Sequence, residues 1–337
     1  MSIQPIGEAE YDLWDDFVAR TENGTIFQTA WWHRAWGAKL VVYARKNEEG
    51  EIESGLAANI TKVQGLEGIR RGPVSPVNGP VFAFCKSGNR LSQNSCLRQE
   101  LTEIVAALPR LSFVELIFSP EIIDVMPFLW DGFEPELLYT YVIPRSESGR
   151  WRDNISARHR GCLKLARKEM LRFGCKIEVD PPFAEVQALL RETAKAKGFV
   201  LPERADEWWE EVLKRNAGRA YVVRDQQSRV LCATIMVWDS SSSYFVLAGM
   251  TAEARRKTHL NFLLVERMIS DAHEMGLDFD FEGSVLPGVD RFFRGWGGEL
   301  RTMIRVLKVP SPLTYMVWKG IFLKVDLEQS QIVFTRR

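Results

Sequence analysis

Asp278, Asp280 and Glu282 stand at alternate positions in Leu277-Asp278-Phe279-Asp280-Phe281-Glu282. Read as a strand, that period of two puts the carboxyl groups on one face, successive members roughly 7 Å apart, and sends Leu277, Phe279 and Phe281 to the other. Carboxylates this close cannot all ionise freely. At least one should carry a raised pKa unless a cation intervenes, which suits a general base that deprotonates an attacking amine. Asp280 is the first candidate for that catalytic role and Glu282 the second. The alternative is structural: Arg291 or Arg294, one turn apart on the next predicted helix, neutralises the acids as an ion pair.

The second constellation is cationic. Between Arg145 and Lys176 ten Lys/Arg stand against three Asp/Glu, an excess hidden in a chain whose Lys+Arg and Asp+Glu both number 44. No global field would draw such a chain to nucleic acid or an anionic membrane, so any electrostatic function must be local. On the predicted helix, Arg160, Lys164, Arg167 and Lys168 form a stripe, with Arg158 before it, opposite Ile155, Cys162, Leu163, Ala166 and Met170. Such a stripe suits the phosphates of a nucleotide-linked or lipid-linked acceptor, or of tRNA, with Arg fitted to bidentate contacts. It is equally what a solvated helix face looks like. Arg291 and Arg294 complete the candidate substrate-binding cations.

Other chemistry finds little support. The five cysteines, Cys85, Cys96, Cys162, Cys175 and Cys232, are scattered without a CxxC pair, and the four histidines form no HxxxH pair, so no metal site is expected. No Ser, Cys or His nucleophile is evident. The Trp31, Trp32 and Trp36 group after Phe27 recurs about once per helical turn and reads as core.

These residues need elements to hold them. Leu13, Trp14, Phe17 and Val18 predict a first amphipathic helix over 8–20; 40–45 and 52–61 predict a strand pair; a Gly/Pro-rich passage fills 65–80. A helix over 91–108, a strand at 113–118, a short helix at 124–130 and a strand at 139–143 complete a first α/β unit. The polar stretch 144–150 is the expected boundary. Beyond it come a long helix over 151–173 ended by Gly174, a strand at 175–179, helices to Lys197 and over 206–216, a meander of strands at 220–224, 230–238 and 244–248, a helix over 257–275 ended by Gly276, and strands at 277–281 and 301–309 around a short aromatic helix. The expected domains are 1–147, 148–309 and a tail, 310–337, whose apolar run Leu313–Leu323 packs on the body. Met1–Glu10 is polar and acidic, and no apolar run nears the roughly 18 residues of a spanning helix, so a cytoplasmic protein without stable membrane insertion is expected.

The segments Leu277–Ser284 and Gly288–Glu299, with Phe27-Gln28-Thr29-Ala30-Trp31-Trp32 and the basic helix ending at Gly174, resemble FemAB-type transferases of the GNAT superfamily, nearest the BioF2-like branch. The resemblance covers about residues 10–308. It implies an α/β fold with mixed sheets in two tandem acetyltransferase-like domains, and transfer of an acyl or aminoacyl group to an amine. It also implies no permanently bound cofactor, acyl-CoA or aminoacyl-tRNA as donor, and a small-molecule or lipid-linked anionic, cell-envelope-related acceptor. Two departures bear on the donor. Ala254-Arg255-Arg256-Lys257-Thr258-His259 lacks the Gly-rich turn with which acetyltransferases hold the pyrophosphate of coenzyme A, and there is no room for the long helical hairpin some cell-wall members carry. In such sites backbone N–H groups at a splayed strand polarise the carbonyl, so no side-chain nucleophile is required. The alternative function is a non-catalytic member that binds nucleic acid or another polyanion through the basic helix. An acidic strand and a basic helix sharing one groove is the expectation on which the site rests.

Overall fold

The computed structural model describes residues 2–63, 65–83, 88–198, 201–284, 286–311 and 315. They form two compact units. The first holds the described residues up to Leu138 together with those from Thr302 on, and the second holds Tyr139–Arg301.

In the first unit β1 (Gln4–Pro5) is followed by α1 (Tyr11–Arg20), whose Trp14, Phe17 and Val18 are buried as their spacing predicts. Then come α2 (Ala30–Ala35), β2 (Lys39–Lys46), β3 (Ile52–Val63), β4 (Leu66–Ile69), β5 (Val81–Phe82), α3 (Arg90–Ala107), β6 (Phe113–Ile117), α4 (Met126–Trp130) and the start of β7 (Glu134–Ile143). The sheet runs β1-β2-β3-β4-β6, antiparallel except for the last pair. The parallel pair matters most. β4 matches β6 only at Gly68↔Phe113 and Ile69↔Val114 before it leaves. The Gly/Pro-rich passage then takes the vacated edge of β6. Asn78 Nδ2 donates to Glu115 O at 2.9 Å, Ile117 N donates to Asn78 Oδ1 at 2.8 Å, and the N–H groups of Asn78 and Gly79 donate to Ile117 O. A Cβ on Gly79 would lie 2.9 Å from Ile117 O, so glycine is what lets the loop come this close. This wedge is sealed by the unit's own chain.

His33, on α2, is fully buried, and burial pushes its imidazole down to about 4. It is neutral in the folded protein, whereas the unfolded chain takes up a proton near 6.5. Stability contributed by this residue is therefore full above pH 6.5 and falls as pH drops from there to about 4, by roughly 3 kcal/mol in all. His33→Gln should flatten the pH dependence of the unfolding free energy across that window; an unchanged slope would show that other groups govern it.

The second unit takes up β7 from Tyr139 and continues with α5 (Ala157–Arg172), β8 (Lys176–Val179), α6 (Phe183–Lys197), α7 (Ala205–Lys214), β9 (Gly218–Arg224), β10 (Val230–Trp238), β11 (Ser242–Met250), α8 (Ala252–Lys257), α9 (Asn261–Glu274), β12 (Asp278–Asp280) and α10 (Pro287–Arg294). Its sheet runs β7-β12-β11-β10-β9-β8, with β11 and β12 parallel. One face carries α5, α9 and α10: Leu163, Ala166, Leu264, Met268, Val289 and Phe293 share a core with Tyr141, Ile143, Phe279 and Phe281. α6 contributes nothing to that core and packs on β10 and β11 from the opposite face, where Thr193 Oγ1 receives the N–H of Met250 at 3.1 Å.

Three expectations change. The helix expected from Trp151 begins at Ala157, because Ser156 accepts the N–H of His159 as an N-cap and Trp151–Asn154 form a separate 3₁₀ turn. The helix expected over 257–275 begins only at Asn261, as α9, and a separate short helix, α8, precedes it and ends at Lys257. The expected boundary at 147 falls instead after Leu138, since Tyr139–Ile143 pairs with β12, Phe279↔Ile143. From Thr302 the last strand, β13 (Glu299–Lys308), goes back to the first unit, where β6 offers an antiparallel edge, Arg305↔Ile117. The expected packing of the tail falls, Tyr315 aside, outside the described residues.

Candidate functional site

Alternation along β12 is real but short. Asp278 and Asp280 point away from the face of Phe279, which lies in the core with α9. Glu282 does not continue the pattern: its φ of 59° turns the chain out of the strand. The three carboxylates expected on one face are thus two, each with its own donors. Asp278 Oδ1 accepts the N–H of Arg145 at 2.8 Å. Asp280 Oδ1 accepts the N–H of Glu282 at 2.7 Å and the hydroxyl of Thr140. Around Asp280 on the same face stand its register partners Tyr244 on β11 and Val142 on β7. Burial first, then Asp239 and Asp280, hold the Tyr244 phenol far above its ordinary range, so it stays protonated.

The expected shared groove is not formed. α5 packs against α9 on the Phe279 face, so the sheet itself separates the basic helix from Asp280. Arg291 and Arg294 lie on α10, also on the α5 side. There His159 Nε2 sits 2.9 Å from Phe292 O, and Ser156 donates its N–H to Gly295 O. Among the described residues neither arginine pairs with Asp278 or Asp280, so the structural ion pair is absent too. Within the stripe the cations differ. Arg167 holds Glu266 with both oxygens within 2.8 Å, and Arg160 donates to Ile155 O. Arg158, Lys164 and Lys168 are exposed.

What the strand positions instead is a wedge. β11 and β12 match only at Ser242↔Asp278, Ser243↔Phe279 and Tyr244↔Asp280, after which β11 runs on alone beside β10 to Met250. Directly past the last matched pair β11 bulges: Met236 pairs Phe245 and Ile235 pairs Leu247, leaving Val246 unmatched. Bulges of this kind re-aim backbone groups beside sites. Asp280 stands at the apex. At the far end, about 20 Å along β11, Arg255 donates to Met250 O at 3.3 Å. Beside it is Lys197, whose ammonium burial and the Arg255 charge lower to about 8. Unlike its counterpart in the first unit, this wedge has no loop hydrogen-bonded along it among the described residues.

The turn that enters α9 is also informative. Glu169, from α5, accepts the N–H of His259 at 2.6 Å and meets His259 Nδ1 at 2.9 Å. A carboxylate thus stands at the N-terminal turn of α9, the positive end of the helix. Among the described residues no three His, Cys, Asp or Glu gather in a way that could hold a metal ion, and no helix is long and apolar enough to cross a membrane.

Sequence reasoning missed Thr140, Tyr244, Lys197 and Arg255. Thr140, Tyr244 and Lys197 were read inside predicted strands or helices and Arg255 in the segment before the helix over 257–275, but only the pairing of β12 with β7 and β11, and the packing of α6 on β11, gives them a common address.

Residues 155–294, less than half of the chain, match the acetyltransferase (GNAT) domain family. The sequence matches no curated protein. Among solved structures the chain is similar to FemX, at 16% identity and a TM-score of 0.64, over 95% of this chain and 100% of that one. It is similar to L-PGS from Bacillus licheniformis at 12% identity and a TM-score of 0.57, over 99% of both chains. A tandem GNAT protein from the clavulanic acid biosynthesis pathway is similar at 10% identity and a TM-score of 0.52, over 92% and 98%. The fold is therefore the FemAB-type arrangement of two acetyltransferase-like halves, as the sequence resemblance implied.

Proposed function

We propose that the second unit transfers an acyl or aminoacyl group from an activated donor to the amine of an acceptor, at the apex of the β11–β12 wedge. The observation that carries this reading is the bulge at Val246, directly past the Tyr244↔Asp280 pair at which the match of β11 with β12 ends. Backbone N–H groups fixed at such a bulge can stabilise the oxyanion that forms when an amine attacks a thioester or ester carbonyl. Asp280, at the apex, is the group placed to take the proton released by the amine. The attack then needs orientation and no covalent enzyme intermediate.

The donor reading follows from Glu169. With its carboxylate against the α9 turn, Glu169 takes the backbone donor that a pyrophosphate of coenzyme A would use there, which weighs against acyl-CoA and leaves an aminoacyl ester as the donor reading. An anionic, envelope-related acceptor remains the acceptor reading, by analogy with the relatives' fold alone. Incubating the full chain with acyl-CoA thioesters and, separately, with aminoacyl-tRNA, and following loss of the thioester or ester in the presence of amine acceptors, tests it. Turnover of the aminoacyl ester alone is the expected result; no turnover of either donor overturns the proposal.

A second reading, polyanion binding without catalysis, draws on the exposed cations Arg158, Lys164 and Lys168 of α5. Those same cations lead to a different partner.

A further inference from the structure

The solvent face of α5 is not purely polar. Its buried side, His159, Leu163 and Ala166, packs inward. On the outer side Arg158, Lys164, Lys168 and Arg172 alternate with Leu165 and Leu171, and the helix ends on Phe173. Leu171 is 85% exposed, Leu165 47% and Phe173 41%, with the Arg172 guanidinium 5.4 Å from the Phe173 ring centre. Lys176, just beyond, is exposed as well. At 100° per residue Leu171 falls between Arg160 and Lys168, and Leu165 falls between Arg172 and Arg158, so the aliphatic side chains project from within the cationic field.

Charge alone would not choose a partner. Phosphates of RNA would satisfy the lysines and arginines, but a nucleic-acid backbone gives protruding leucines nothing to bury in. An anionic bilayer answers both features. Its surface potential attracts the Lys and Arg heads, and its interfacial region takes up Leu165, Leu171 and Phe173. The only acid on the helix, Glu169, is turned away to His259, and Arg167 is held by Glu266, so the outward charge is of one sign.

We infer that α5 is a peripheral docking face for an anionic lipid surface, a property separate from the wedge and from any transfer reaction. The chain as a whole has equal numbers of positive and negative residues, so it is this local face, not a net charge, that orients the docking.

Co-sedimentation of the full chain with vesicles tests the inference. The chain should pellet with phosphatidylcholine vesicles containing roughly a third phosphatidylglycerol and not with pure phosphatidylcholine, and salt should weaken the binding. Lys164→Gln with Lys168→Gln should reduce binding at least tenfold. Leu165→Ser with Leu171→Ser should also reduce it severalfold while leaving its salt dependence intact; both pairs are exposed, and unchanged melting temperatures verify folding. Absence of binding to the anionic vesicles overturns the inference. So does loss with the lysine pair but not the leucine pair, together with tighter capture by tRNA, which would make the face an RNA surface.

Discussion

Asp280→Asn should lower kcat by about 10²- to 10⁴-fold, the usual range for a positioned general base, with KM little changed and the fold intact. The fold is spared because an asparagine Oδ1 can still accept from the N–H of Glu282 and the hydroxyl of Thr140, the contacts that hold the turn after β12. Only the charge and its proton affinity are lost. Steady-state kinetics with the donor that turns over, alongside a melting curve, separates the two roles available to this residue. A variant that melts earlier but turns over normally would make Asp280 a pin of the turn, and the proton acceptor would have to be sought elsewhere along the wedge.

The second large effect is on stability. Gly297 has φ +82°, and a Cβ there would sit 2.3 Å from Asn154 O, a backbone atom that cannot swing aside. Gly297→Ala should therefore destabilise the second unit by about 3 kcal/mol or more, combining left-handed strain with a forced backbone shift. That corresponds to a fall in melting temperature of roughly 10 °C for a unit of this size. Gly276 is the control. Its φ is +74° but no atom lies within 4 Å of the added Cβ, so Gly276→Ala should cost only about 1 kcal/mol. Equal losses in the two variants would mean that the close approach of 297 to Asn154 is unimportant. The same contact explains why Gly-Trp-Gly-Gly follows α10: Trp296 is fully buried against His159 and Phe262, and the glycines around it let the backbone close over the Trp151–Asn154 turn.

Much of this was legible in the residues. The alternation of β12, the two glycine stops after α5 and α9, the meander before α8 and the first helix all follow from spacing and turn chemistry, because local preference and burial agree there. Ser156 was legible too, as an N-cap signal inside a helical pattern, and the long-helix reading passed over it. Asp280 was picked out for its place on a strand face shared with Asp278 and opposite Phe279, and the strand keeps it there. It does not keep Glu282, since a strand of three residues ends before it and no local signal marks a left-handed φ on a glutamate. The basic stripe was counted correctly, yet counting could not tell Arg167, locked to Glu266, from Lys168, exposed.

What the sequence determined alone is the set of elements, their order and the faces that must be apolar, since these depend on neighbours a few residues away. Which side of the sheet each face occupies was decided by tertiary structure. Strand pairing fixes Asp280 beside Tyr244 and Thr140, and helix packing sends α5 with α9 to the opposite face. Such pairings join residues far apart in the chain, Thr140 and Asp280 by 140 positions, and their energies come from contacts that no stretch of sequence contains by itself. For the same reason the Gly/Pro-rich passage reads as a plain loop until Asn78 is seen bonding the edge of β6. One wedge is thereby closed, and the proposed chemistry falls to the other.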